Sequence, residues 1–229
     1  FLGGFYAFPG GKVEATDGAE EALGRCRGVS SATAAAVFPA ADGIPPLAFW
    51  VTAARELVEE TGLLVGCDAG GWPVDTRDLA VRDRVERLRH ALVGEEAPFH
   101  ALLAREGWHL DLAPFRYLSH FITPPSSPIR FTARFFLAPV PAGQEPRLLG
   151  GEASEGFWID PAEGHRRFRA GEMPMAEPAD SGLAYIAGFD TLDDVWAAHT
   201  DGRHKFHGIN DRIEAAGFSI PRSKRVGQS

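Results

Sequence analysis

Cations are in short supply in this sequence, with 23 Lys and Arg against 31 Asp and Glu and a formal charge of −8. That balance excludes a general nucleic-acid binder, whose affinity comes largely from Lys and Arg neutralising phosphates. Cysteine is scarcer still. Cys26 and Cys67 are the only two in 229 residues; they form no C-x-x-C or zinc-ligand spacing and exclude a disulfide framework. No apolar run approaches the roughly 18 residues a membrane span needs, so no membrane partner is expected. Three catalytic signatures are missing as well. "GGEASEG" at 150–156 lacks the lysine and Ser/Thr of a Walker loop, no G-x-S-x-G is present, and "HTDGRHKFH" at 199–207 fits no standard zinc set. There is no internal repeat. A cytoplasmic protein with one domain is the simplest expectation.

What the sequence does have is acid concentrated in one place. "AARELVEETGLL" at 53–64 holds Glu56, Glu59 and Glu60 just before Gly62. Pro45 and Pro46 suit a helix start and Gly62 the residue past its end. Leu47, Trp50, Val51, Ala54, Leu57 and Val58 recur at helical spacing, which predicts a helix over 46–61. The three glutamates then converge on its polar side. Like charges at that spacing cost roughly 0.2–0.5 kcal/mol per pair, and acids in the last turn face the negative end of the helix dipole at roughly 0.3–1 kcal/mol each. Two readings are open: a solvated face, or a site for a hard divalent cation that takes oxygen ligands together with substrate phosphate. Arg55 can orient one carboxylate but cannot neutralise three.

Upstream, "GFYAFPGGKVEATD" at 4–17 opens on a strand-like aromatic run that breaks at Pro9, Gly10 and Gly11, so a strand and glycine turn are expected over 5–11. Together the two stretches resemble the Nudix box of the Nudix hydrolases, G-x5-E-x7-R-E-U-x-E-E-x-G-U with U aliphatic. Gly11 takes the first position, and Asp17 stands where glutamate is usual. Arg55, Glu56, Leu57, Glu59, Glu60, Gly62 and Leu63 complete the pattern. The spacing departs: 37 residues separate Asp17 from Arg55 where the pattern has about seven, a split that surface-loop closure tolerates at little cost. The inserted segment, 18–45, is expected to be a loop with one short helix near 18–23. Such a split box resembles the branch similar to the nudix motif 19 coenzyme A diphosphatases. So does "SHFITPPSSPIRFTARFFLAPVP" at 119–141, where alternation from Ile129 to Leu137 predicts a hairpin strand with one face buried and Pro124, Pro125 and Pro128 marking the turn.

The resemblance implies an α/β Nudix fold, an α/β/α sandwich around a mixed sheet. The expected map is a single domain over 1–229, with the insertion, accessory helices over 75–107 and a flexible basic tail at 222–229. Further helices are expected near 183–187, 192–199 and 210–216. The same resemblance implies Mg2+ or Mn2+ held by Glu56, Glu59, Glu60 and the Gly10 carbonyl, with Arg55 steadying the carboxylates. As general base it leaves open Glu56 or a distant acid, Glu152 ahead of Glu155. The implied reaction is hydrolysis of a diphosphate linkage in a nucleoside diphosphate derivative, coenzyme A or an acyl derivative in the first instance. ADP-ribose or a dinucleotide is the alternative, and so is a Nudix module that senses a ligand without cleaving it. Arg130 and Arg134 are candidates to pair with phosphate, or ordinary surface arginines. The partner is a small molecule, and the chain acts alone or as a homodimer.

Overall fold

The computed structural model describes residues 4–38, 40, 43–122, 132–148 and 155–199. The chain divides into two compact units: Pro9–Phe115 with Ala138–Gly156, and Phe1–Phe8 with Arg116–Leu137 and Phe157–Ser229. The fold class is α/β, and among the described residues no helix is long and apolar enough to cross a membrane.

In the Pro9–Phe115 unit the order is α1 (Glu20–Leu23), β1 (Cys26–Arg27), α2 (Ser31–Val37), α3 (Pro46–Thr61), β2 (Gly66–Cys67), α4 (Leu79–Val93), α5 (Phe99–Glu106) and β3 (His109–Asp111). The short sheet runs β1-β3-β2 and is mixed: β1 lies parallel to β3 and β2 antiparallel to it. α3 starts with Pro46 in its first turn and stops at Gly62, whose φ of 75° is left-handed. Its apolar stripe is buried at Leu47, Trp50, Val51, Ala54 and Val58. Helices α4 and α5 occupy the stretch expected to hold accessory helices.

The insertion differs from expectation. Besides the short helix α1 it holds a strand and a second helix, and it contributes buried Ala22, Ala34 and Phe38. Phe38 stacks on Trp50 of α3, with ring centroids 5.1 Å apart and planes 13° from parallel. The alanine-rich composition that suggests a loop is also that of the strongest helix former, and Ser30 supplies the start by accepting a bond from the Thr33 amide. Gly28 is required where the insertion meets the segment after β3, because a Cβ there would lie 2.5 Å from the Ala113 nitrogen.

The other unit pairs β4 (Arg116–Ile122) antiparallel with β5 (Thr132–Leu137), with a register irregularity between Tyr117 and Ser119. Three helices follow, α6 (Pro161–Arg169), α7 (Glu177–Ile186) and α8 (Leu192–Ala198). Leu118, Ala184 and Tyr185 form a core against Phe135 and Leu137, and Met173, Met175, Ala179 and Leu183 form another. The expected one-sided burial of the hairpin strand is not observed: Ala133 to Leu137 are all half-buried, and Phe136 meets Tyr117 from the neighbouring strand. Of the strand and glycine turn expected over 5–11, the strand part shrinks to one bridge, Tyr6 to Met175. Helix α6 lies outside the expected elements, although Asp160 caps it and Pro161 opens it. Residues 124, 125, 128, 210–216 and 222–229 lie outside the described residues.

Candidate active site

The site grows from one buried ion pair. A 3-10 turn at Ala15–Gly18 carries Asp17, whose side chain accepts from the Glu14 amide while its own amide donates back to the Glu14 carbonyl. Asp17 is 1% exposed, so its charge needs partners on every side. Arg55 supplies two, Nε at 3.0 Å and Nη2 at 3.1 Å, and Thr52 Oγ1 a third at 2.8 Å. The two halves of the split box are therefore joined through space by a bidentate contact.

Arg55 spends its remaining donors on the loop and the helix. Nη2 donates to the Lys12 carbonyl at 2.8 Å and lies 3.0 Å from Glu56 Oε1, and Nη1 donates to Glu59 Oε2 at 2.8 Å. Glu14 lies 3.8 Å away. Burial alone would lower the basicity of this guanidinium, but the bond to Asp17 and the charges of Asp17, Glu56 and Glu59 raise it. It stays cationic and still leaves its four carboxylate neighbours with an excess of negative charge.

That excess shows in the glutamates. Burial pushes Glu59 up to about 7, against the pull of Arg55 and with help from Glu56 and Glu14. Burial also raises Glu56, again opposed by Arg55. Gly11 passes so close to Glu56 that a Cβ would sit 2.2 Å from Oε1. Only glycine leaves the carboxylate that space. Glu60 reaches the same loop, where its Oε1 accepts from the Gly10 amide at 3.4 Å.

Among the described residues no three acidic, histidine or cysteine side chains stand together as a ready metal cage, because Glu56 and Glu59 are turned onto Arg55. The donor chemistry nonetheless fits a hard divalent ion: oxygen donors only, more negative charge than one guanidinium can balance, and a glycine loop pressed against one of the carboxylates.

Of the residues expected in a site, Gly10, Arg55, Glu56, Glu59 and Glu60 gather in this one unit. Arg134 belongs to the other unit, half-buried on β5 opposite His120. Arg130 and Glu152 lie outside the described residues, and Glu155 is exposed. Thr52, Glu14 and the Lys12 carbonyl are additions the sequence reading lacked. Thr52 carried a signal, since it precedes Arg55 by three positions and shares its helix face.

The chain is similar to a solved crystal structure, that of a NUDIX hydrolase from Alicyclobacillus acidocaldarius. Identity is 30% over 86% of this chain and 82% of that one, with a TM-score of 0.67. No protein-family model and no curated protein matches the sequence.

Proposed function

The chain belongs to the Nudix hydrolase family, and on that premise we propose that it cleaves a diphosphate linkage in a nucleoside diphosphate derivative at the Arg55 cluster, with coenzyme A or an acyl derivative as substrate. It is an enzyme of the hydrolase class. The observation that carries the proposal is the surplus of half-buried carboxylate around Arg55, with Glu59 raised to about 7.

In this reading Glu56, Glu59 and Glu60, with the Gly10 carbonyl, hold Mg2+ or Mn2+. Such an ion, when bound, neutralises charge on the phosphate oxygens and lowers the pKa of a bound water. The chain's own residues supply the rest. Asp17 and Thr52 lock Arg55, and Arg55 in turn sets the rotamers of Glu56 and Glu59. Glu56, with its raised pKa, is suited to take the proton of the attacking water, and Glu152 is the other candidate. Arg130 and Arg134 are assigned to the substrate phosphates. A single domain over 1–229, a cytoplasmic location and a monomer or homodimer belong to the same proposal; Cys26 and Cys67 are free thiols, which suits a reducing compartment.

The coenzyme A assignment rests on the split box and on "FPGG" at 8–11. Its test is mass spectrometry after incubation with Mg2+ and a panel of coenzyme A, acetyl-coenzyme A, ADP-ribose and NADH. The expected products are adenosine 3′,5′-bisphosphate and a 4′-phosphopantetheine compound. Efficient cleavage of ADP-ribose or NADH with coenzyme A left intact would overturn the substrate while leaving the diphosphatase chemistry in place.

A further inference from the structure

Arg89 lies on α4, about thirty positions beyond the acidic helix, and is 1% exposed. Its Nε and Nη2 both donate to the Glu59 carbonyl at 3.0 Å, and Nη2 donates to the Glu60 carbonyl at 2.7 Å. These are two of the last four carbonyls of α3, which no intrahelical amide can reach. The other two are also satisfied: Val58 O by the Gly62 amide and Thr61 O by the Arg147 amide, both at 2.8 Å. Every orphan acceptor at this helix end therefore has a partner, and the two belonging to the glutamates share one side chain.

Burying a guanidinium is costly, and desolvation lowers the Arg89 pKa, with Glu86 acting against it. The hydrogen bonds found for Arg89 all go to carbonyls. An apolar side chain of similar volume would fill the space but would leave the Glu59 and Glu60 carbonyls without these bonds, so volume alone does not account for an arginine here. The charge is useful here because it meets the negative end of the helix dipole in the same turn that carries the crowded acids. Gly62 makes room for it: a Cβ at that position would lie 3.1 Å from Arg89 Nη1, on a backbone whose φ of +75° already favours glycine.

We propose that Arg89 is a positioning residue for the metal-binding turn, fixing the backbone of Glu59 and Glu60 so that their carboxylates stay with the Arg55 cluster. The proposal rests on the metal reading given above. It places one determinant of metal affinity on an accessory helix outside the box.

The test uses the full chain, with Mn2+ titrated in the absence of substrate and free Mn2+ read by electron paramagnetic resonance. Amide hydrogen exchange over 59–64 is followed in parallel. Arg89→Ala should weaken Mn2+ binding by about 10-fold or more, in the range seen when groups that orient metal ligands are removed, and should speed exchange over 59–64. Arg89→Lys keeps the charge without the planar fork and should fall between wild type and Arg89→Ala; it carries the test if Arg89→Ala does not fold. Arg84→Ala is the control, because it removes from the same helix a cation bonded to Glu106 at 2.6 Å. It should leave Mn2+ affinity within about 2-fold of wild type, because what it loses is a part-exposed pair, a bond to the Glu106 carbonyl and a contact with the Trp108 ring, none of them on α3. An equal loss in Arg84→Ala would reduce the effect to general destabilisation and overturn the positioning role. Wild-type protein that binds no Mn2+ sinks the metal reading and takes the positioning role with it. Unchanged affinity and exchange in Arg89→Ala sink the Arg89 assignment alone.

Discussion

Replacing Asp17 by Asn removes one charge from the buried pair while keeping the side chain's size. The carboxylate accepts four bonds: two from Arg55, one from Thr52 and one from the Glu14 amide. An asparagine can accept at one oxygen only, so its NH2 group must face a donor wherever it is placed. Breaking a buried ion pair by altering one partner costs about 3–5 kcal/mol. Arg55 keeps contacts with Glu56 and Glu59, which favours the lower end, about 3 kcal/mol. For a chain of this length that lowers Tm by about 6–12 °C. Scanning calorimetry and urea unfolding measure the loss, and Asp17→Glu, which keeps the charge, should lose less than half as much. An Asp17→Asn protein within about 1 kcal/mol of wild type, the range of ordinary exposed ion pairs, would refute the idea that this contact holds the split box together.

Glu60→Gln should weaken Mn2+ binding and turnover while stability holds or rises by a few tenths of a kcal/mol, as relief of like charge in the last helical turn predicts; a calorimetric titration reads the binding and urea unfolding the stability, and unchanged metal binding would make the cluster a solvated face. Phe38→Ala, which removes the ring stacked on Trp50, should cost about 3–5 kcal/mol; a loss under about 1 kcal/mol in urea unfolding would show that the insertion is a dispensable loop after all. His120 is pushed down to about 4 by desolvation and by the nearby Arg134 charge, so its NMR titration midpoint should fall near that value. Because the unfolded chain takes up this proton first, at about 6.5, the contribution of His120 to stability is complete above that pH and declines as pH falls towards 4. Cys26, raised to about 12 by burial, should react with an alkylating reagent at pH 8 far more slowly than free cysteine; a rate like that of the free amino acid would show the thiol to be open.

Helix α3 was legible to its ends because three independent signals agree there: a proline start, a glycine stop and an apolar stripe. The insertion is ambiguous in sequence because "SSATAAAV" at 30–37 has the composition of a linker and the propensity of a helix, and only the burial of Ala34 and Phe38 decides between them. Asp17 was visible through its place in the box, whereas its bond to Thr52 needed the helix geometry to be seen. Arg89 gave no local sign. Its partners are carbonyls 29 and 30 positions away, and a backbone acceptor leaves no trace in the identity of the residue that carries it. Helix α6 shows only its Asp-Pro start in the sequence, because its exposed, charged face offers little apolar periodicity.

The separation of Asp17 from Arg55 by 38 positions also sets an order of events during synthesis. An uninterrupted box would close the same contact across about eight positions, so the longer ring costs about 1.4 kcal/mol more to close, from (3/2)RT ln(38/8). At about 5–20 residues per second, Asp17 waits roughly 2–8 s for Arg55 to be added to the chain. Strand β1, inside the insertion, waits longer still, since its partner β3 begins at His109. Neither the carboxylate nor the strand can settle when it first emerges. The Pro9–Phe115 segment is therefore expected to assemble in one late step, once the residues through β3 are free, and nascent chains stopped before that point should remain open to protease along their length from Pro9 onward.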